Sequence, residues 1–204
     1  MSYTFSKAFE SNHFLNNWNY ANEPIIKELD NTDKPHMIAF SGIWDLPMGR
    51  ERGWFKSSNR TVNKVIAGWQ IDWIYTYTSG YPTGRWDRDM TCSDFHAVNQ
   101  DRDHWFNNTK SCYPSRAPNT IRTVPDRFSD IRNPAIKQLN LVLEKTTQIN
   151  ERLRFVLRGE AFNITNTPGY AGPNTDPNSD RFGRLPQDQQ NWPRLVQLSG
   201  KFHF

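Results

Sequence analysis

Cys92 and Cys112 are the only cysteines in this 204-residue chain, and thiols are among the best nucleophiles and softest metal ligands a protein carries. Neither belongs to a Cys-x-x-Cys pair, and their spacing suits no zinc site. Both sit in one polar stretch, where a loop disulfide would form in an oxidising compartment; two unpaired thiols are the alternative. His13, His36, His96, His104 and His203 are scattered without metal-ligand spacing. The carboxylates mark no acid/base pair of the glycosidase kind. No Gly-x-Ser-x-Gly, P-loop or dinucleotide fingerprint occurs. The expectation is therefore no catalytic residue, no metal and no cofactor.

The remaining polar candidates gain meaning only from the elements that carry them. Between Arg152 and Asn163, Leu153, Phe155, Leu157, Gly159 and Ala161 fall on one face. Arg154, Val156, Arg158, Glu160 and Phe162 fall on the other. This period-two pattern predicts a half-buried strand. In the run before it, Leu139, Leu141 and Leu143 alternate with Asn140, Val142 and Glu144, so the two form a hairpin. The same alternation appears from Met37 to Leu46 and from Trp69 to Tyr77, where Trp69, Ile71, Trp73, Tyr75 and Tyr77 share a face. In the final strand Val196, Leu198, Gly200, Phe202 and Phe204 alternate with Leu195, Gln197, Ser199, Lys201 and His203. The predicted strands lie near 2–9, 36–46, 68–79, 138–146, 152–164 and 194–204.

Composition agrees with an all-β chain. Aromatic residues make up 14% and apolar residues 36%, with a mean hydropathy of −0.82. Disorder would bring fewer aromatics. No run is apolar enough for a membrane-spanning helix, which leaves open a barrel, whose strands put every second residue toward a polar lumen. The net charge of +4 is dispersed, and nucleic acid is not expected as a partner without a clustered basic face. The first residues lack the charged start and apolar stretch of a signal peptide.

The connections carry direction. The segments 11–35, 81–137 and 165–193 are long and rich in Pro, Asn and Asp; 147–151 is short, and 47–67 is intermediate. Compact domains rarely hold such long loops, whereas outer-membrane barrels have long loops outside and short turns toward the periplasm. All three long segments fall on one side, which places the C-terminus on the other.

The order of landmarks resembles the C-terminal part of the β-barrel of TonB-dependent outer-membrane receptors, in the Oar-like branch with a carboxypeptidase-regulatory-like domain. These landmarks are Tyr3-Thr4-Phe5-Ser6-Lys7, His36, and Ser41-Gly42-Ile43-Trp44-Asp45-Leu46-Pro47, then Gly68-Trp69-Gln70 and Ser79-Gly80-Tyr81-Pro82. Later come Arg158-Gly159-Glu160-Ala161-Phe162-Asn163-Ile164-Thr165-Asn166, Phe182-Gly183, Pro193-Arg194-Leu195-Val196-Gln197-Leu198 and Lys201-Phe202-His203-Phe204. The resemblance implies an antiparallel up-and-down meander of about six strands, a fragment of a 22-stranded transmembrane barrel in the bacterial outer membrane. It implies uptake of a scarce ligand driven by TonB, with the plug domain, signal peptide and remaining strands absent here. About six strands are too few to close a barrel, so the chain alone is expected not to transport.

Two sets of residues follow as candidates. Asn140, Glu144, Arg154, Arg158 and Glu160 would face the lumen and contact a plug or solute; a charge ladder satisfied across strands is the other reading. Phe202 and Phe204 would form an assembly signal for the barrel-assembly machinery, by strand addition to an exposed edge. Outer-membrane lipid is the third expected partner. The rival readings are a secreted soluble β-sandwich that binds carbohydrate through its aromatics, and a glycoside hydrolase fragment.

Overall fold

The computed structural model describes residues 1–12, 26–49, 53–55, 59–84, 88–118 and 126–204. His13 lies outside them. The frame is one sheet of β1 (Ser2–Phe5), β4 (His36–Asp45), β5 (Trp69–Thr78), β8 (Ile136–Gln148), β9 (Arg154–Phe162) and β10 (Leu195–His203), in that spatial order. Every neighbouring pair is antiparallel. This is the expected meander, and the period-two residues pair as the alternation requires.

Register assigns each face. On the apolar face, Gly42 opposes Trp73 and Trp73 opposes Leu141; Trp44 opposes Ile71 and Ile71 opposes Leu143. Leu143 opposes Gly159, and Gly159 opposes Leu198. Here β-branched and aromatic side chains cover the pleat. Gly42 is needed at its position: a Cβ there would stand 2.3 Å from Cζ2 of the Trp73 ring, which lies across it. Phe155 and Phe202 pack near the opposite edge as a tilted pair, with ring centroids 4.8 Å apart. Of the strand lysines of this face, Lys137 lies at the start of β8, where a long side chain can carry its charge out of an apolar layer, and Lys145 is buried with its ammonium donating to the Ala67 carbonyl.

No apolar side chain of this sheet is fully buried among the described residues. The buried apolar residues are Leu29, Phe106, Cys112, Tyr113, Ile131, Phe182 and Leu185, and all belong to the long connections. A sandwich requires a second sheet packed on the first; among the described residues the apolar face of the main sheet has no such cover.

Several boundaries differ from expectation. The strand expected over 2–9 breaks after Phe5: the Ser6 amide still reaches the Pro35 carbonyl in register at 3.1 Å, but Pro35 has no N–H to continue the ladder, and the Ala8 amide goes to Asp33 Oδ1 at 2.7 Å. The chain then re-pairs as β2 (Phe9–Asn12) with β3 (Ile26–Leu29), inside the segment read as loop 11–35. Loop 81–137 likewise holds a small sheet of β6 (Pro82–Gly84) and β7 (Arg127–Arg132), and a short 3-10 turn at Lys110–Cys112. Pieces of three to six residues are too short for alternation to reveal. The connection 47–67 contains a helix, α1 (Arg60–Ile66), started by Asn59, whose Oδ1 accepts from the Val62 amide at 2.8 Å. Phe204 lies one residue beyond β10 and is almost wholly exposed.

Candidate functional site

The polar face of the sheet gathers the candidates. Arg158 is the hub: its Nε donates to Glu160 Oε1 at 3.0 Å, and its Nη1 lies 3.5 Å from Glu144 Oε2. Register explains the meeting, because Glu144 sits directly opposite Arg158 and Glu160 is two residues along the same face. Asn140 does a different job. Its Oδ1 accepts from the Asn163 amide at 2.9 Å and from Gln138 Nε2 at 3.1 Å, pinning the end of β9 to β8. Arg154 stands apart and makes no ion pair among the described residues. With Glu144, Arg158, Lys201 and His203 it lines a cleft of about 220 Å³.

Sequence reasoning passed over Asp72, on the same face of β5, opposite Val142. Its Oδ1 is shielded from solvent and meets no hydrogen-bond donor. Leaving a carboxylate oxygen so costs on the order of 1–3 kcal/mol, which a donor arriving from the open side of the sheet would offset. The sign of the wall also changes across the strands. Asp45, Asp72 and Glu144 stand on β4, β5 and β8, whereas Arg154, Arg158, Lys201 and His203 stand on β9 and β10, with Glu160 as the exception.

The long connections form a second structure, a folded cap with its own core. A disulfide joins Cys92 to Cys112, with Cα atoms 5.2 Å apart. Phe106, Cys112, Tyr113, Ile131 and Phe182 pack as one buried cluster. The Phe182 ring meets Tyr113 edge-on at 4.9 Å and Phe106 at 5.2 Å, which binds two separate connections together. Backbone bonds reinforce the joint, from Trp105 N to Gly183 O at 2.9 Å and from Leu185 N to Arg102 O at 2.8 Å. Burial pushes the Tyr113 phenol up to about 12, and its hydroxyl donates to the Asn107 carbonyl.

Ion pairs fasten the remaining connection. Arg132 Nη2 lies 2.7 Å from Oδ2 of Asp33, whose side chain is fully buried. Arg127 pairs with Glu10 of β2. Two clefts open on this cap. One of about 470 Å³ lies between Arg88, Arg116 and Asp176, and one of about 310 Å³ is lined by Arg102, Asp103, Arg181 and Arg184, with Arg184 3.8 Å from Asp103. Guanidinium groups so placed can grip carboxylate or phosphate.

Three exposed aspartates close turns within the cap. The Thr32 hydroxyl and amide hold the Asp30 carboxyl below its ordinary value. The His96 amide does so for Asp94, and the His104 amide for Asp101. A carboxylate depressed in the folded state adds stability above its unfolded value and loses it as pH falls. These turns should therefore be intact at pH 5 and loosen below the ordinary value of 3.8. The backbone amide resonances of Thr32, His96 and His104 are expected to move toward random-coil positions in that interval; resonances that stay fixed down to pH 2 would contradict it.

Neither the curated proteins nor the solved structures contain a match to this chain. A family model described as an outer membrane beta barrel domain matches residues 1–197. The apolar face then meets lipid and the polar face a lumen, where an arginine or lysine is spared the roughly 2–4 kcal/mol it would cost at the lipid midplane. By that match, over nearly its whole length, the chain belongs to the outer membrane beta barrel domain family, proteins of the bacterial outer membrane.

Proposed function

We propose that this barrel segment serves a TonB-dependent receptor of the Oar-like branch, and that in the intact protein it takes part in the uptake of a ligand without doing chemistry on it. The observation that carries the reading is Asp72. Its Oδ1 has no hydrogen-bond donor among the described residues, although the Arg158 charge acts on Asp72 across the same face; a plug or a passing solute would supply that donor. The cap supports the same reading, since a membrane anchor has no use for a disulfide-stapled core and arginine-lined clefts at its outer end. Among the described residues the six-stranded sheet leaves an edge of β1 and an edge of β10 unpaired. Such edges are not tolerated in lipid, so further strands must close the barrel. Phe202, packed against Phe155, and the exposed Phe204 are offered to the barrel-assembly machinery.

In cells, crosslinking is expected to join the intact protein to TonB, and planar bilayers given the 204-residue chain alone should show no unitary conductance. Absence of the TonB adduct, where a control receptor gives one, would remove the receptor assignment. Steady conductance from the isolated chain would show that it closes by itself.

A further inference from the structure

The connection between β4 and β5 is oddly long for the short-turn end of a barrel, and it leaves four large apolar side chains open. Val65 of α1 is 64% exposed and Phe55 is 64% exposed; Val62 and Trp54 are also open. Phe55 holds φ at +63°, a left-handed conformation that costs a bulky side chain roughly 1–2 kcal/mol.

Position decides what covers these side chains. The indole of Trp69 donates to the Val65 carbonyl at 3.0 Å, and Lys145 Nζ donates to the Ala67 carbonyl. Trp69 and Lys145 oppose one another on the apolar, lipid-facing side of the sheet. Trp54 meets Trp44 of the same face edge-on, with centroids 6.4 Å apart. The connection therefore folds outward against the lipid-facing wall at its base, rather than hanging below the lumen. On α1, Val62 and Val65 lie three residues apart on one side, with Lys64 exposed between them. The sequence from 47 to 67 carries Arg50, Arg52, Lys56, Arg60 and Lys64 against Glu51 alone.

We infer that this connection is an interfacial anchor: Trp54, Phe55, Val62 and Val65 enter the acyl boundary of the adjoining leaflet, and Lys64, exposed beside them, meets its phospholipid phosphates. The patch continues a surface already in lipid, and apolar side chains beside basic ones are the composition of a helix lying in a membrane interface. A short helix of this kind sinks about 5–10 Å into that boundary. The leaflet is the periplasmic one, which rests on the direction given to the strands by their long and short connections.

The test is spin labelling of the intact protein in phosphatidylethanolamine/phosphatidylglycerol vesicles, at V65C, at K64C and at L141C on the lipid-facing wall. The native disulfide leaves Cys92 and Cys112 unreactive to the label. The expected result is a Val65 label accessible to oxygen and protected from a water-soluble nickel chelate, as at Leu141, with the Lys64 label open to the chelate. If Leu141 is in lipid but Val65 is as open to the chelate as Lys64, the anchor is overturned and the barrel stands. If Leu141 is also in water, both fall. A Val65 label shielded from both reagents would mean that protein covers it, which overturns the anchor as well.

Discussion

Replacement of Phe106 by Ala is expected to destabilise the outer cap by about 3–5 kcal/mol, the range for emptying a buried aromatic site. Phe106 is 1% exposed and touches the residue that joins the two connections, Phe182. The loss should stay local, because the main sheet shares no buried apolar side chain with that cluster. Hydrogen exchange in the intact protein checks this: amides across 88–118 and 174–185 should lose protection, while β5, β8 and β9 exchange as before. Protection unchanged in the cap would mean that the cluster does not hold it together.

Asp33→Ala is expected to have an effect of similar size by another route. The Asp33 carboxylate sits among the Ala8 amide and the Arg132 guanidinium, and Arg132 also donates to the Asp33 carbonyl at 3.0 Å and the Gly80 carbonyl at 3.2 Å. Removing one partner of a buried pair strands the other charge, at about 3–5 kcal/mol. Proteolysis of the intact protein in membranes should then nick the turn at 30–33 first. Adding Arg132→Met should recover part of the loss, since the uncompensated charge goes with it. A double variant weaker than Asp33→Ala by the full value of a second deletion would argue that the two groups act independently.

Five of the six strands of the wall were legible because their signal is a simple alternation, repeated over nine or more residues. Leu139, Leu141 and Leu143 could have meant nothing else beside Leu153, Phe155 and Leu157. The polar candidates followed from the same pattern: once the face was known, Arg158 had to meet Glu144. Asp72 was visible on the polar face of β5, but its missing partner was not, since that depends on which side chains reach it. The cap was illegible for a physical reason. Its core is drawn from single residues far apart, Phe106, Ile131 and Phe182, with no periodicity to announce them. The landmarks that suggested a family do make sense afterwards. Gly183 takes φ +76° beside the core residue Phe182. Asn163 and Asn166 take φ of 48° and 50°, and Asn163 Nδ2 donates to the Trp192 carbonyl at 3.1 Å. They are the corners at which the wall turns into the cap.

The placement in the connections of the only buried apolar cluster among the described residues has a consequence for how the molecule answers to its solvent. The cap is held by the removal of oily surface from water, so cooling and urea weaken it in the ordinary way. The wall faces hydrocarbon, where its backbone hydrogen bonds have no aqueous competitor and urea has little to act on. The protein thus joins two materials with different denaturation laws, and a single melting temperature or a single urea midpoint describes neither of them.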